Sequence, residues 1–140
     1  MPESIAIVGA GKFGRVLLKS FLQKAKIECV SSNGNLKNKE EVKKILPQVL
    51  FRNNLEIAKD SKIKSVVIAT PIESLYKTCK LFISSGKNVF LEKPGAMKHE
   101  EIKELISMLA DDQILYIDYL TILDPTYQKF KTILKKESIK

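Results

Sequence analysis

The fold is decided by Ile5-Ala6-Ile7-Val8-Gly9-Ala10-Gly11-Lys12-Phe13-Gly14, where a β-branched apolar run continues directly into a glycine-rich turn. A helical pattern of apolar residues follows at Phe13, Leu17 and Phe21, with Val16, Leu18 and Leu22 beside it. A strand, a tight turn and a helix in this order are the context in which the spacing G-x-G-x-x-G has a physical meaning. The segment therefore predicts a turn that cradles a phosphate group.

Each glycine of the turn has its own predicted role. Gly9 permits the sharp turn out of the strand, Gly11 lets a pyrophosphate approach the backbone, and Gly14 lets the helix pack close to the strand. The helix directs its free N–H groups and its positive dipole end at the phosphates. We therefore predict a dinucleotide site that includes Lys12 and Phe13, although three glycines by themselves also fit an ordinary turn.

Composition indicates a single domain over residues 1–140, with 44% hydrophobic residues and a mean hydropathy of −0.07. No apolar run approaches the ~18 residues that a membrane span needs. The first strand starts at Ile5, which leaves no room for a targeting segment, so we expect a cytoplasmic protein without membrane contact. Cys29 and Cys79 are expected to be buried reduced thiols, His99 to lie on the surface, and no metal site is expected.

The net charge of +8 raises the question of nucleic-acid binding. The excess is almost entirely lysine, spread along the chain, and the only arginines are Arg15 and Arg52. Arginine is the usual residue for forked contacts to phosphates and bases, and no basic stripe interleaved with aromatic residues is present. A lysine-rich surface is therefore the favoured interpretation, and nucleic-acid binding is the disfavoured one.

Strand-like and helical segments alternate along the whole chain. Strands are predicted at Ile5–Val8, Ile27–Ser31, Val49–Phe51, Ser65–Thr70, Asn88–Leu91 and Ile114–Tyr119. Helices are predicted at Lys12–Lys24, Asn38–Leu46, Leu55–Asp60, Ile72–Ser85, His99–Ala110 (burying Ile102, Leu105, Ile106 and Leu109) and Thr126–Lys136. This alternation predicts a doubly wound parallel α/β sheet of about six strands in the order 3-2-1-4-5-6.

Ligands of such sheets bind at the carboxyl ends of the strands, so the loop after the second strand bears on cofactor choice. An NAD site usually has an Asp or Glu there, which holds the ribose 2′-hydroxyl. This chain has Ser31-Ser32-Asn33, followed by Lys37 and Lys39. No carboxylate there would repel a 2′-phosphate, which the hydroxyls and the nearby ammonium groups of Lys37 and Lys39 could hold. The loop therefore weakly favours NADP over NAD, while an ordinary Ser-Asn-Gly turn remains the alternative.

Two later stretches carry a family resemblance. They are Ile68-Ala69-Thr70-Pro71 and, after one helix, Gly86-Lys87-Asn88-Val89-Phe90-Leu91-Glu92-Lys93-Pro94. With the glycine turn and Asp124-Pro125-Thr126-Tyr127, they make the chain similar to the N-terminal Rossmann domain of the glucose–fructose oxidoreductase, inositol dehydrogenase and rhizopine-catabolism (Gfo/Idh/MocA) family. The resemblance implies an NAD(P)-dependent oxidoreductase with a sugar, polyol or related substrate.

The resemblance also implies residue roles. The cofactor side of the site would include Ala69, Thr70, Pro71, Glu92 and Pro94, the last after a cis peptide bond. Lys93 would be the catalytic residue, reaching the reacting carbon and the substrate hydroxyl, where it can polarise a developing carbonyl or relay a proton. The alternative for Lys93 is a solvated lysine in a turn.

Three departures limit what the resemblance implies. Leu75 stands where the family commonly has a His, Ile122 stands where it often has an Arg, and members continue into a second α/β domain that supplies substrate contacts. We therefore expect little activity from these residues alone. The face at Thr70-Pro71, Lys93-Pro94 and Tyr119-Leu120 is expected to be open, or covered by a second copy or a partner chain. The alternative is a free-standing dinucleotide-binding or redox-sensing module without catalysis.

Overall fold

Six parallel strands form the centre of the computed structural model, which describes residues 3–136. The strands are β1 Ser4–Val8, β2 Lys26–Ser31, β3 Leu50–Phe51, β4 Ser65–Ile68, β5 Asn88–Leu91 and β6 Leu115–Ile117. Their order in the sheet is β3-β2-β1-β4-β5-β6, which confirms the predicted doubly wound topology. Residues 1–2 and 137–140 of the predicted domain lie outside the described residues.

Over the described part of the chain, six α-helices connect or follow the strands: α1 Lys12–Phe21, α2 Leu36–Ile45, α3 Asn54–Lys59, α4 Ile72–Ser84, α5 His99–Ser107 and α6 Pro125–Lys136. A 3₁₀ helix at Leu120–Leu123, which the sequence analysis did not predict, separates β6 from α6. No helix among residues 3–136 is both long enough and apolar enough to cross a membrane.

Several predicted element ends were wrong, and local hydrogen bonds explain them. Helix α1 stops at Phe21 instead of Lys24 because the N–H groups of Lys24 and Ala25 both donate to the Phe21 carbonyl and close a turn. Helix α2 starts two residues earlier than predicted because the side chain of Asn35 accepts from the Asn38 N–H at 3.0 Å. Strand β4 ends at Ile68 and β6 covers only Leu115–Ile117 of the predicted range.

Each face of the sheet has its own hydrophobic core. Helices α3, α4 and α5 pack over one face, around Val66, Ile68 and Phe82, whereas α1 and α2 pack over the other, around Val67 and Leu18. Strand β4 is therefore buried on both faces, which agrees with its continuous apolar sequence Val66-Val67-Ile68. Cys29 and Cys79 are buried free thiols, and burial raises their pKa values to about 11 and about 12.

Some apolar residues of the helical patterns remain in contact with solvent. Ile106, which was predicted to be buried, is exposed because α5 packs through Leu105 on an adjacent face. Phe13 and Val16 of α1 are also exposed, since α1 packs through Gly14, Leu17 and Leu18. Further exposed apolar side chains lie on the 3₁₀ helix and α6 (Leu120, Ile122, Leu123, Tyr127, Phe130 and Ile133).

Candidate dinucleotide site

A cavity of about 650 Å³ lies at the carboxyl ends of β1, β2 and β4. Its wall combines the glycine turn, the loop after β2, the segment after β4 and the N-terminal parts of α3 and α4. The lining residues are Val8, Gly9, Ala10, Gly11, Ser31, Ser32, Asn33, Asn38, Asn53, Asn54, Leu55, Ala69, Thr70, Pro71, Ser74 and Thr78. This is the edge of the sheet where doubly wound folds bind their ligands.

The three glycines of the turn differ in what surrounds them. Gly9 has φ +112°, and a Cβ there would lie 2.3 Å from the Ala69 carbonyl oxygen. A Cβ on Gly14 would lie 1.9 Å from the Gly9 carbonyl oxygen. Gly11, by contrast, has nothing within 4 Å of its Cβ position. The protein's own packing therefore requires Gly9 and Gly14, while the space beside Gly11 is open for a ligand.

Helix α1 begins at this open position. Gly11 is its N-cap residue and provides no side-chain hydrogen bond to the first turn. The first N–H groups of a helix have no intrahelical acceptor, and the helix dipole adds a partial positive charge there. The N-terminus of α1 and the free space beside Gly11 together suit a phosphate group.

The loop after β2 is held by a partner that sequence reasoning missed. The Ser31 hydroxyl donates to Asn54 Oδ1 at 2.5 Å, which joins the loop to the first residue of α3. Asn53 caps α3 reciprocally with Glu56: Asn53 Oδ1 accepts from the Glu56 N–H at 2.9 Å, and Glu56 Oε2 accepts from the Asn53 N–H at 2.8 Å. The spacing of Asn53 and Glu56 is a capping-box signal that could have predicted the start of α3 at Asn54.

Charge is absent from the wall of the cavity. None of its lining residues among residues 3–136 is Asp, Glu, Lys or Arg. Lys39, which the sequence analysis placed near the β2 loop, has its Nζ 5.3 Å from the ring centroid of Phe51. Lys37 is exposed and does not line the cavity.

Unpaired buried polar atoms collect along the same edge of the sheet. Within the described part of the chain, the buried side-chain polar atoms without a hydrogen-bond partner are Ser32 Oγ, Thr70 Oγ1, Glu92 Oε1 and Asp118 Oδ1. Each follows the end of a different strand (β2, β4, β5 and β6). Leaving such a group unpaired costs about 1–3 kcal/mol. Of the four residues, Ser32 and Thr70 line the cavity, so their hydroxyls fit a bound molecule with hydrogen-bonding groups, as a dinucleotide has.

The residues after β5 lie beside the cavity and do not line it. The peptide bond between Lys93 and Pro94 is cis, as the family resemblance implied. The Tyr119 hydroxyl donates to the Pro94 carbonyl at 2.9 Å and joins this loop to the residues after β6. Lys93 itself is exposed, whereas Glu92 is only 8% exposed.

A second carboxyl, Asp118, lies next to Glu92, and this pairing was not predicted. Asp118 is 6% exposed, and its N–H donates to the Leu91 carbonyl at 2.9 Å, which places it beside the end of β5. Burial and the neighbouring Asp118 raise the pKa of Glu92, while Lys93 opposes that rise. The signal in the sequence was a charged residue directly after the apolar strand Leu115–Ile117.

The remaining residues named in the sequence analysis lie outside the lining of the cavity. Gly14 is buried beneath the turn, and Lys12 and Phe13 are exposed beside it and outside the cavity lining. His99 is exposed at the start of α5. Residues 3–136 contain no group of three or more His, Cys, Asp or Glu side chains that could hold a metal ion.

Known proteins of the same fold are similar over most of this chain. Myo-inositol dehydrogenase from Lactobacillus casei, solved with NAD(H) and myo-inositol, has a TM-score of 0.85 at 16% identity and is covered over 42% of its chain by 97% of this one. UDP-N-acetylglucosamine 3-dehydrogenase GnnA from Acidithiobacillus ferrooxidans has a TM-score of 0.78 at 20% identity, with 93% of this chain covering 42% of it. These two likenesses show the fold.

Two further comparisons rest on sequence. An uncharacterized oxidoreductase of Streptococcus pneumoniae serotype 4 is 25% identical over 112 residues, which are 79% of this chain and 30% of that protein. The chain thus spans less than half the length of the relatives it matches. The family model described as "oxidoreductase family, NAD-binding Rossmann fold" matches residues 4–119. The chain therefore belongs to the Gfo/Idh/MocA family of oxidoreductases, whose NAD-binding Rossmann domain it contains.

Proposed function

We propose that the chain binds NAD(P) at this cavity as the cofactor-binding part of an oxidoreductase that acts on a sugar, polyol or related alcohol. The observation that carries the proposal is the open space beside Gly11 at the uncapped N-terminus of α1. The unpaired Ser32 and Thr70 hydroxyls supply hydrogen-bonding groups along the same edge. The nicotinamide supplies the hydride chemistry when bound, and this chain holds and orients it.

We favour NADP over NAD because the loop after β2 has no carboxylate at Ser31–Asn33. The loop Ser31–Asn33 has hydroxyl and amide groups, and no carboxylate among the described residues lines the cavity. An Asp or Glu at this place would hold the 2′-hydroxyl of NAD and would repel a 2′-phosphate. Its absence from the described wall therefore supports NADP.

Lys93 is the proposed catalytic residue. Its exposed ammonium group follows Glu92 at the carboxyl end of β5, on the edge that carries the cavity. An ammonium group next to a reacting alcohol can stabilise the developing carbonyl oxygen or pass on a proton. Glu92 and Pro94 set the position of Lys93, since the Glu92 N–H donates to the Ile68 carbonyl at 2.9 Å and Tyr119 holds Pro94.

The substrate side of this site is open. Pro71, Lys93, Tyr119 and Leu120 are all exposed along it. Catalysis depends on orienting both reactants and excluding water, so we propose that further polypeptide, such as a second copy or a partner chain, covers this face in the active enzyme. A second candidate function is a dinucleotide-binding or redox-sensing module without turnover, which the exposure of Lys93 favours.

The test is a titration of the purified chain with NADPH and NADH, followed by nucleotide fluorescence. We expect both to bind, NADPH more tightly, with little or no turnover when myo-inositol is added with the oxidised cofactor. Absence of binding by either nucleotide would contradict the proposal. A clear preference for NADH would contradict only the choice of NADP. Turnover at an ordinary enzymatic rate would contradict the proposal that further polypeptide must cover the open face.

A further inference from the structure

Arg15 lies between the glycine turn and helix α2. Its Nη1 donates to the Ala10 carbonyl at 3.0 Å and to Asn38 Oδ1 at 3.3 Å. Ala10 and Asn38 both line the cavity, although Arg15 itself does not. The two hydrogen bonds therefore hold a guanidinium group at the rim of the cavity, at the side where α1 and α2 approach each other.

The guanidinium has donors left over at this rim. Arg15 carries five N–H groups in a fixed fork, and both described hydrogen bonds use Nη1. Neither Nη2 nor Nε donates a hydrogen bond within residues 3–136, and no carboxylate there forms a salt bridge with Arg15. The planar fork that remains matches two oxygens of a phosphate group.

The surroundings of Arg15 are electrically positive. On its other side, Arg15 lines a smaller cleft of about 430 Å³ between α1 and α2, together with Lys12, Lys19 and Lys44. The acidic residue in that cleft is Glu41, which is paired with Lys44 at 2.5 Å. An anion at the rim would thus meet Arg15 first, with uncompensated lysines behind it.

The lysines expected from the sequence are in poorer positions. Lys39 is directed onto the Phe51 ring, at 5.3 Å from its centroid, and is not among the lining residues. Lys37 is exposed and makes no hydrogen bond with a residue of the cavity wall among those described. Arg15 is the cation that the structure ties directly to two lining residues.

We propose that Arg15 selects a 2′-phosphorylated dinucleotide by donating its free N–H groups to the 2′-phosphate at the rim between the glycine turn and α2. The inference rests on the proposed function, because it requires the adenosine end of a dinucleotide in the cavity. The unpaired Ser32 hydroxyl, after β2, is placed to add a neutral hydrogen bond on the same side. Arg15 thereby takes the role that the sequence analysis gave to Lys37 and Lys39.

The experiment compares two probes that differ by one phosphate, adenosine 2′,5′-bisphosphate and adenosine 5′-monophosphate, by isothermal calorimetry. Arg15→Gln should lower the affinity for the bisphosphate about tenfold to a hundredfold, the range expected for a charged hydrogen bond to phosphate. Its affinity for the monophosphate should change less than about twofold. The matched control is Lys39→Gln, which removes the same charge from the neighbouring helix and should leave both affinities unchanged.

Other outcomes overturn the inference in distinct ways. If Arg15→Gln weakens the binding of both probes equally, Arg15 has a structural role only. If Lys37→Gln or Lys39→Gln alone selectively lowers the affinity for the bisphosphate, that lysine binds the 2′-phosphate in place of Arg15. A thermal melt checks that Arg15→Gln folds. If it does not, Arg15→Lys keeps the charge without the fork and should still lose part of the bisphosphate affinity. Wild-type protein that binds NADH and NADPH equally contradicts the role of Arg15 alone, whereas binding of neither contradicts the proposed function itself.

Discussion

Glu92 and Asp118 lie side by side at the carboxyl ends of β5 and β6, each more than nine-tenths buried and each with one carboxyl oxygen unpaired among the described residues. Parallel pairing of β5 with β6 brings them together, since Leu91 lies opposite Ile117 in the register. Burial, followed by the charge and hydrogen bonding of Asp118, raises the pKa of Glu92. Two carboxyls without a full set of donors are thus held next to the proposed catalytic lysine.

This pair predicts a pH-dependent stability. The pKa of Glu92 is higher in the folded state than in the unfolded state. The stability that Glu92 contributes is therefore fully present below its unfolded pKa of about 4.3 and is lost as the pH rises through its folded pKa. Asp118→Asn removes a charge of the same sign next to Glu92 and should raise the free energy of unfolding at pH 7 by about 1 kcal/mol. The gain should shrink as the pH falls from 7 towards 4, because protonation of Glu92 in the folded protein removes its repulsion by Asp118.

Urea unfolding of wild type and Asp118→Asn across this pH range is the measurement. Asp112→Asn removes an exposed acidic group after α5 and serves as the control, with the same pH dependence as wild type. If the stability curves of Asp118→Asn and wild type stay parallel from pH 4 to pH 7, the two carboxyls do not interact as described.

Lys87, from the motif that carries the family resemblance, has a structural role. Its side chain is 5% exposed, and Nζ donates to the carbonyls of Asp60 at 2.6 Å and Ile63 at 2.8 Å. Lys87→Met would leave both carbonyls without their charged donor and should cost about 2–3 kcal/mol of unfolding free energy. Chemical denaturation measures this, with the exposed Lys77→Met as control; equal midpoints for the two variants would refute the role.

The third glycine of the turn should be a stability residue. A Cβ at Gly14 meets the Gly9 carbonyl oxygen at 1.9 Å, so Gly14→Ala must shift α1 relative to the turn at Gly9. We expect a loss of about 1–3 kcal/mol, as for other overpacked sites, visible as a lower melting temperature. Gly11→Ala, which meets nothing within 4 Å, is the matched control. A Gly14→Ala protein that melts with wild type would show that the turn tolerates the side chain.

The strand order could be predicted because apolar β-branched runs and turn residues alternate so regularly in this sequence. The exact ends could not, since they depend on single hydrogen bonds: the Asn35 cap starts α2 early, and the N–H of Tyr119 turns back to the Ile117 carbonyl at 2.8 Å after β6. Burial of Ile106 was mispredicted because it sits at the edge of the apolar stripe of α5, whose centre is Leu105.

The candidate site could also be predicted only in part. The glycine turn and the loops after β2 and β4 follow from local motifs, and eight of the residues predicted to bind the cofactor line the cavity (Gly9, Gly11, Ser31, Ser32, Asn33, Ala69, Thr70 and Pro71). Asn54 meets Ser31 only through tertiary folding, across 23 positions of the chain. The pairing of Asp118 with Glu92 likewise depends on the β5–β6 register.

We propose that a dinucleotide lies with its pyrophosphate against Gly11. A Cβ at this N-cap position has nothing within 4 Å beyond its chain neighbours, and the extended backbone there (φ −66°, ψ −178°) accepts a side chain, so Gly11→Val should fold and melt close to wild type. Its isopropyl group would occupy the space that the pyrophosphate needs. The direct measurement is an NADPH titration of wild type and Gly11→Val, with melting curves for both. We expect binding by wild type and at least about a hundredfold loss in the variant, the scale of two or more lost phosphate contacts. Undiminished binding by a folded Gly11→Val would contradict this position of the pyrophosphate.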